Sequence, residues 1–164
     1  MKDLSFILVA FSIFLFGNVL ADDCSTLNSA ISLFGDDLKK KFSGSNCCTY
    51  SGITCDGSGH VTEIKFDNVS TYFNDNVPEA FDKLSNLQYL TSLTLTNFRT
   101  HSLPPNIGNI KSLKTLILNE NFYSCSIPDE FGKLTNLEHL EMKNNFLNGK
   151  IPDSFKNLVN LKYL

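Results

Sequence analysis

Leu137-Glu138-His139-Leu140-Glu141-Met142-Lys143-Asn144-Asn145-Phe146-Leu147-Asn148-Gly149-Lys150-Ile151-Pro152 is the stretch whose reading decides the fold. Its first part alternates: His139, Glu141 and Lys143 are polar, Leu140 and Met142 apolar. Period two marks a strand with one buried face. Leu140 and Met142 therefore face a core, and the polar three face solvent. Asn145 stands where the chain turns away from that strand. Its amide both donates and accepts, so it can satisfy backbone groups that the turn strands. Gly149 permits a tight backbone. Ile151 is expected to be buried, with Pro152 ending a second extended segment, and Phe155 and Leu158 to return to the core from the outer side.

The same pattern recurs at a fixed interval. Leu113-x-x-Leu116-x-Leu118 precedes Leu137-x-x-Leu140-x-Met142 by 24 residues, and Leu161-x-x-Leu164 begins another copy. Val77-Pro78, Leu103-Pro104, Ile127-Pro128 and Ile151-Pro152 follow with spacings of 26, 24 and 24. Asn121 and Asn145 are equivalent, so stacked asparagines are expected to link adjacent turns. The earlier copies are less regular. Val61-x-x-Ile64-x-Phe66 has Val69 at the asparagine position and a longer loop through Thr71 to Asn76. In Leu90-x-x-Leu93-x-Leu95 the strand is placed on Leu93 and Leu95, with Asn97 or Phe98 holding the turn. Each unit has an apolar side that it cannot bury alone, so units must stack, their strands forming a parallel sheet.

Residues 1–21 read differently. Lys2, an apolar run from Leu4 to Phe16, and Val19-Leu20-Ala21 make the pattern of a secretory signal peptide. A run of thirteen residues is too short to span roughly 30 Å of hydrocarbon. Residues 22–60 do not repeat. Leu27, Ile31, Phe34, Leu38 and Phe42 form a helical stripe, expected to cover the open apolar end of the first repeat. Four of the five cysteines (Cys24, Cys47, Cys48 and Cys55) lie in this segment, and in an oxidising compartment they should pair. A zinc site from Cys47, Cys48, Cys55 and His60 lacks the usual ligand spacing. Cys125 is left over, as a buried thiol or an intermolecular link.

Cys47-Cys48-Thr49-Tyr50-Ser51-Gly52-Ile53-Thr54-Cys55-Asp56, followed by Val61-Thr62, resembles the N-terminal cap of plant-type leucine-rich-repeat proteins. The repeats resemble the L-x-x-L-x-L-x-x-N-x-L-x-G-x-I-P form of polygalacturonase-inhibiting proteins and receptor-like kinase ectodomains. Tyr50 stands where that family usually has Trp, and Cys125 where it has the Gly that Gly149 supplies. The resemblance implies Cys24–Cys47 and Cys48–Cys55 bonds. It also implies an α/β leucine-rich-repeat solenoid, with a short parallel sheet on the concave face and a disulfide-bonded helical cap. The organisation expected is a signal peptide (1–21), a cysteine-rich cap (22–60) and about four repeats followed by a truncated one (61–164).

The net charge of −3 argues against a polyanionic nucleic-acid partner. Lys39-Lys40-Lys41 is the one basic run and reads as a solvated helix end. No H-E-x-x-H, G-x-S-x-G or phosphate loop is present, and no cofactor is expected. His60, His101 and His139 have no partner at ligand spacing; His139 and Glu141 read as exposed neighbours on a binding face. Asp129-Glu130 reads as a helix-start charge. Asn68-Val69-Ser70 is a glycosylation sequon.

Alternation places Glu63, Lys65, Asp67, Thr94, Thr96, Thr115, Ile117, Asn119, His139, Glu141 and Lys143 on the solvent side of the strands. The expected function is secreted, non-catalytic recognition of an extracellular protein or cell-wall glycan on this face. The alternatives are an inhibitor-like protein or the start of a receptor-like kinase ectodomain at the outer face of the plasma membrane. No membrane span is expected after signal removal. An open strand edge at Leu164 invites association through that end, and the chain reads as the N-terminal part of a longer repeat protein.

Overall fold

A computed structural model describes residues 23–67 and 76–164. The signal segment, the sequon at Asn68 and the turn position Val69 lie outside the described residues.

The stripe from Leu27 to Phe42 is buried throughout, but it does not form one helix. Gly35, at φ 118°, divides it into α1 (residues 23–34) and α2 (Asp36–Lys41). Only glycine takes that conformation readily, so the break is local and the apolar register survives it. Phe34 packs edge-on against Phe66 at 5.8 Å and Phe81 at 5.3 Å, and Phe42 meets Phe66 at 5.3 Å. These rings cover the inner side of the first repeat with apolar surface worth roughly 2 kcal/mol per buried side chain.

The sheet has five strands in chain order: β1 (Ile53–Cys55), β2 (Val61–Phe66), β3 (Ser92–Leu95), β4 (Thr115–Ile117) and β5 (His139–Glu141). β1 and β2 pair antiparallel across the Asp56–Gly59 turn. The later pairs are parallel, and their order follows the chain. Ile64, Leu93, Leu116 and Leu140 are in register and fully buried. This is the period-two reading, including the choice of Leu93 and Leu95 for β3.

The outer elements differ along the chain. α3 (Val77–Leu84) is an α-helix with Val77, Ala80, Phe81 and Leu84 buried. The following three turns use five-residue 3₁₀ helices: Pro105–Asn109, Asp129–Lys133 and Asp153–Asn157. In these the chain must turn in fewer residues, and in the first two a glycine at the fourth position lets the next turn approach. A methyl group on Gly108 would overlap the Glu130 carbonyl oxygen, and one on Gly132 would overlap Ser154. Asp129 and Glu130 do lie in the first turn of their helix.

Asn121 is buried and links turns. Its amide donates to the carbonyls of Leu95 (2.9 Å) and Asn119 (3.0 Å), and its oxygen accepts from the Phe98 N–H (2.7 Å). Asn145 likewise donates to Leu118, at 2.8 Å. Phe98 fills the asparagine position of its own turn as a buried ring. The residue before each of these positions is left-handed: Asn97 (φ 61°), Glu120 (φ 57°) and Asn144 (φ 56°).

Three expectations of burial are corrected. Ile151 is 59% exposed. The equivalent Leu103 is buried because the next turn packs over it, and no described residue does this for Ile151. Phe155 and Met142 are only partly buried for the same reason, while Leu158 is buried.

Candidate binding face

The parallel register arranges the solvent-side residues into rows. One row runs Glu63, Ser92, Thr115, His139; the next runs Lys65, Thr94, Ile117, Glu141. Asp67, Thr96, Asn119 and Lys143 continue beyond the strand ends. The Thr96 hydroxyl donates to Asp67 at 2.8 Å, and the Lys143 N–H to Asn119 Oδ1 at 2.7 Å. Ser92 belongs to the face, although sequence reading missed it. β3 starts one residue earlier than the apolar pattern marks, which is the signal that could have found it.

Thr94 is corrected. It lies in the second row but is only 7% exposed. The remaining candidates are half-buried, apart from Lys65 and Lys143, which are exposed.

Most of the charge on this face is paired, and Glu63 accepts from the Thr54 hydroxyl at 3.4 Å. Lys65 lies 3.2 Å from Asp67. Glu141 accepts from Asn119 Nδ2 at 2.7 Å, with His139 Nε2 at 2.7 Å and Lys143 Nζ at 3.4 Å. These partners, the Asn119 amide foremost, hold the Glu141 carboxyl down at about 2. A carboxylate so held is a fixed acceptor and a poor proton donor near neutrality. The arrangement thus suits recognition better than acid–base chemistry. Beside it, a depression of about 610 Å³ is bordered by His139, Glu141, Met142, Ile151 and Tyr163.

The cysteines lie apart from this face. Cys24 is bonded to Cys47 and Cys48 to Cys55. The sulfurs of Cys24, Cys47 and Cys48 fall within 4.8 Å of one another, but as disulfides they offer no thiolates to a metal. Cys125 is a half-buried free thiol that accepts from the Leu103 N–H at 3.3 Å. His60 has a partner that spacing did not show. Its Nδ1 lies 3.4 Å from Asp23, and its ring stacks on Tyr89 at 4.0 Å. Tyr50 packs against Phe42, and its hydroxyl donates to the Gly44 carbonyl at 2.7 Å.

A family model described as Leucine Rich Repeat matches residues 136–158. Receptor-like protein kinase 7 of Arabidopsis thaliana is 34% identical over 111 residues, 63% of this chain and 11% of the kinase. The crystal structure of PEPR1-AtPEP1 superposes with a TM-score of 0.64 at 30% identity, covering 85% of this chain and 20% of that one. The chain carries a leucine-rich repeat and is similar to plant leucine-rich-repeat ectodomains. The peptide hormone receptor RGFR1, solved in complex with RGF2, matches this chain at 28% identity and a TM-score of 0.55, over 71% of its length and 21% of the receptor's. The chain spans about a tenth of the curated relative's length. No helix among the described residues is long and apolar enough to cross a membrane.

Proposed function

We infer that this chain is an extracellular recognition module. It binds a peptide or protein ligand along the solvent face of β2–β5 and does no chemistry of its own. The observation that carries this reading is the in-register rows. They present Lys65, Ile117, Asn119 and Glu141 at fixed spacing on a rigid sheet. Strands about 4.8 Å apart give an extended peptide a regular set of polar and apolar contacts. Complexes such as RGFR1 with RGF2 support a ligand of that class, and the signal-peptide pattern read in residues 1–21 supports export.

The test is a panel of synthetic extracellular peptides measured against the immobilised chain by interferometry. Peptides that bind are then measured against Lys65→Ala, Ile117→Ala and Glu141→Ala. At least one binder is expected to weaken by about tenfold or more, about 1.4 kcal/mol. Lys133→Ala, on an outer 3₁₀ helix, should leave binding unchanged. Equal loss from Lys133→Ala, or none from the three face variants, would remove the reading.

A second reading places these repeats at the start of a longer receptor ectodomain, and the identity to Receptor-like protein kinase 7 favours it. The full-length transcript decides between them. A downstream run of about 20 apolar residues followed by kinase motifs supports the receptor; a stop directly after Leu164 opposes it.

A further inference from the structure

The two disulfides of the cap are unequally placed. Cys24 and Cys47 are 3% and 0% exposed, whereas Cys48 and Cys55 are half-buried. A reagent in solution therefore reaches the second bond and not the first. Yet the two bonds are not independent. Cys47 and Cys48 are consecutive, and the sulfurs of Cys24, Cys47 and Cys48 gather within 4.8 Å of one another. The buried bond thus has one sulfur of the accessible bond as its neighbour. The Cys47 N–H donates to Cys24 Sγ at 3.0 Å, where it offsets negative charge that builds up at that sulfur. Cys24 lies in the first turn of α1, so its bond decides whether that helix stays fastened over the first repeat.

We propose that Cys48 is a relay through which a dithiol reductant opens the buried Cys24–Cys47 bond. In the first step a thiolate of the reductant attacks Cys55 Sγ. The Cys48–Cys55 bond breaks and Cys48 leaves as a thiolate. The reductant's second thiol then displaces Cys55, so the reductant ends as a disulfide and the chain has gained two electrons. In the second step the Cys48 thiolate attacks Cys24 Sγ. A Cys24–Cys48 bond forms, the Cys24–Cys47 bond breaks, and Cys47 leaves as a thiolate and takes up a proton. Partners are exchanged with no net oxidation or reduction. Cys47 is not the target, because consecutive Cα atoms stand about 3.8 Å apart, closer than the roughly 4.4 Å at which ordinary disulfides begin. In the third step a second reductant attacks Cys48 Sγ in the new bond, Cys24 leaves as a thiolate, and α1 is released. Proximity supplies the rate. A thiolate fixed beside its target acts at an effective concentration far above roughly 1 mM reagent. Direct attack on the buried bond must wait for the cap to open locally.

The experiment is a time course with dithiothreitol, quenched in acid, alkylated and mapped by peptide mass spectrometry. Every sample carries Cys125→Ser, so that no further thiol exchanges. Cys55 should be alkylated before Cys24, with the Cys24–Cys47 bond opening second. Two variants separate a relay from simple loosening of the cap. Cys55→Ser keeps the Cys48 thiol, and the double change Cys48→Ser, Cys55→Ser removes it, while both lack the same disulfide. Cys55→Ser should contain a Cys24–Cys48 peptide beside Cys24–Cys47. Its Cys24 should be freed at least about tenfold faster than in the double variant. Matching circular dichroism will show that both fold, and the parent time course decides if either does not. Equal rates in the two variants overturn the proposal. So does a Cys24–Cys47 bond that opens first in the parent, or a map of Cys55→Ser that never contains Cys24–Cys48.

Discussion

Glu141 shows what a single position on the face does. Its carboxyl is lowered from the ordinary 4.5 to about 2 by the Asn119 amide, then His139, then Lys143. A folded-state value below the unfolded one means the ion contributes stability above the unfolded value. That stability is lost as pH falls from 4.5 toward 2. Glu141→Gln should therefore flatten this acid limb of the stability profile, measured by urea unfolding at successive pH values. An unchanged limb would mean that the carboxylate contributes nothing to folding. The pairing of Glu141 with His139 follows from strand alternation and was legible, since residues two apart share a face. The depth of Thr94 was not. Alternation tells which side a residue takes, whereas its cover depends on the length of side chains in adjacent strands, far off in sequence.

At the scale of elements, the strands and the asparagine turns were readable because their signals repeat at 24 residues and each copy checks the next. The outer segments were harder. Phe155, Phe131 and Phe81 mark an apolar contact in each, but nothing in the apolar pattern separates the eight-residue α3 from five-residue 3₁₀ helices. Room between neighbouring turns decides that, and Gly108 and Gly132 set the room in the first two 3₁₀ helices. Gly108 lies against the Glu130 backbone, whereas Gly57 has open space around its Cβ position. Gly108→Ala should therefore destabilise the chain by about 1–3 kcal/mol. Gly57→Ala should stay within about 0.5 kcal/mol. Thermal melting distinguishes them, and equal melting temperatures would mean that the turns can separate freely. The left-handed Glu120 also escaped sequence reading. Asn97 and Asn144 are types that favour that conformation, and Glu is not.

Across the whole molecule, contacts run mainly between adjacent turns, so stability should be distributed by neighbour rather than shared evenly. Amide exchange is expected to be slowest in β2–β4 and fastest around Asp153–Asn157. Reducing both disulfides should speed exchange in α1 and β1 and leave β4 little changed. An even rise along the chain would mean that the stack opens as one unit. The disulfides also set a path for mechanical load. Cys24 joins Cys47, Cys48 is the next residue, and Cys48 joins Cys55. Tension entering at Cys24 crosses to Cys47, passes one peptide bond, and crosses again to Cys55. The backbone of α1 beyond Cys24 and of α2 lies outside that circuit. A pull between the chain's ends would unravel the repeats and leave these two helices slack.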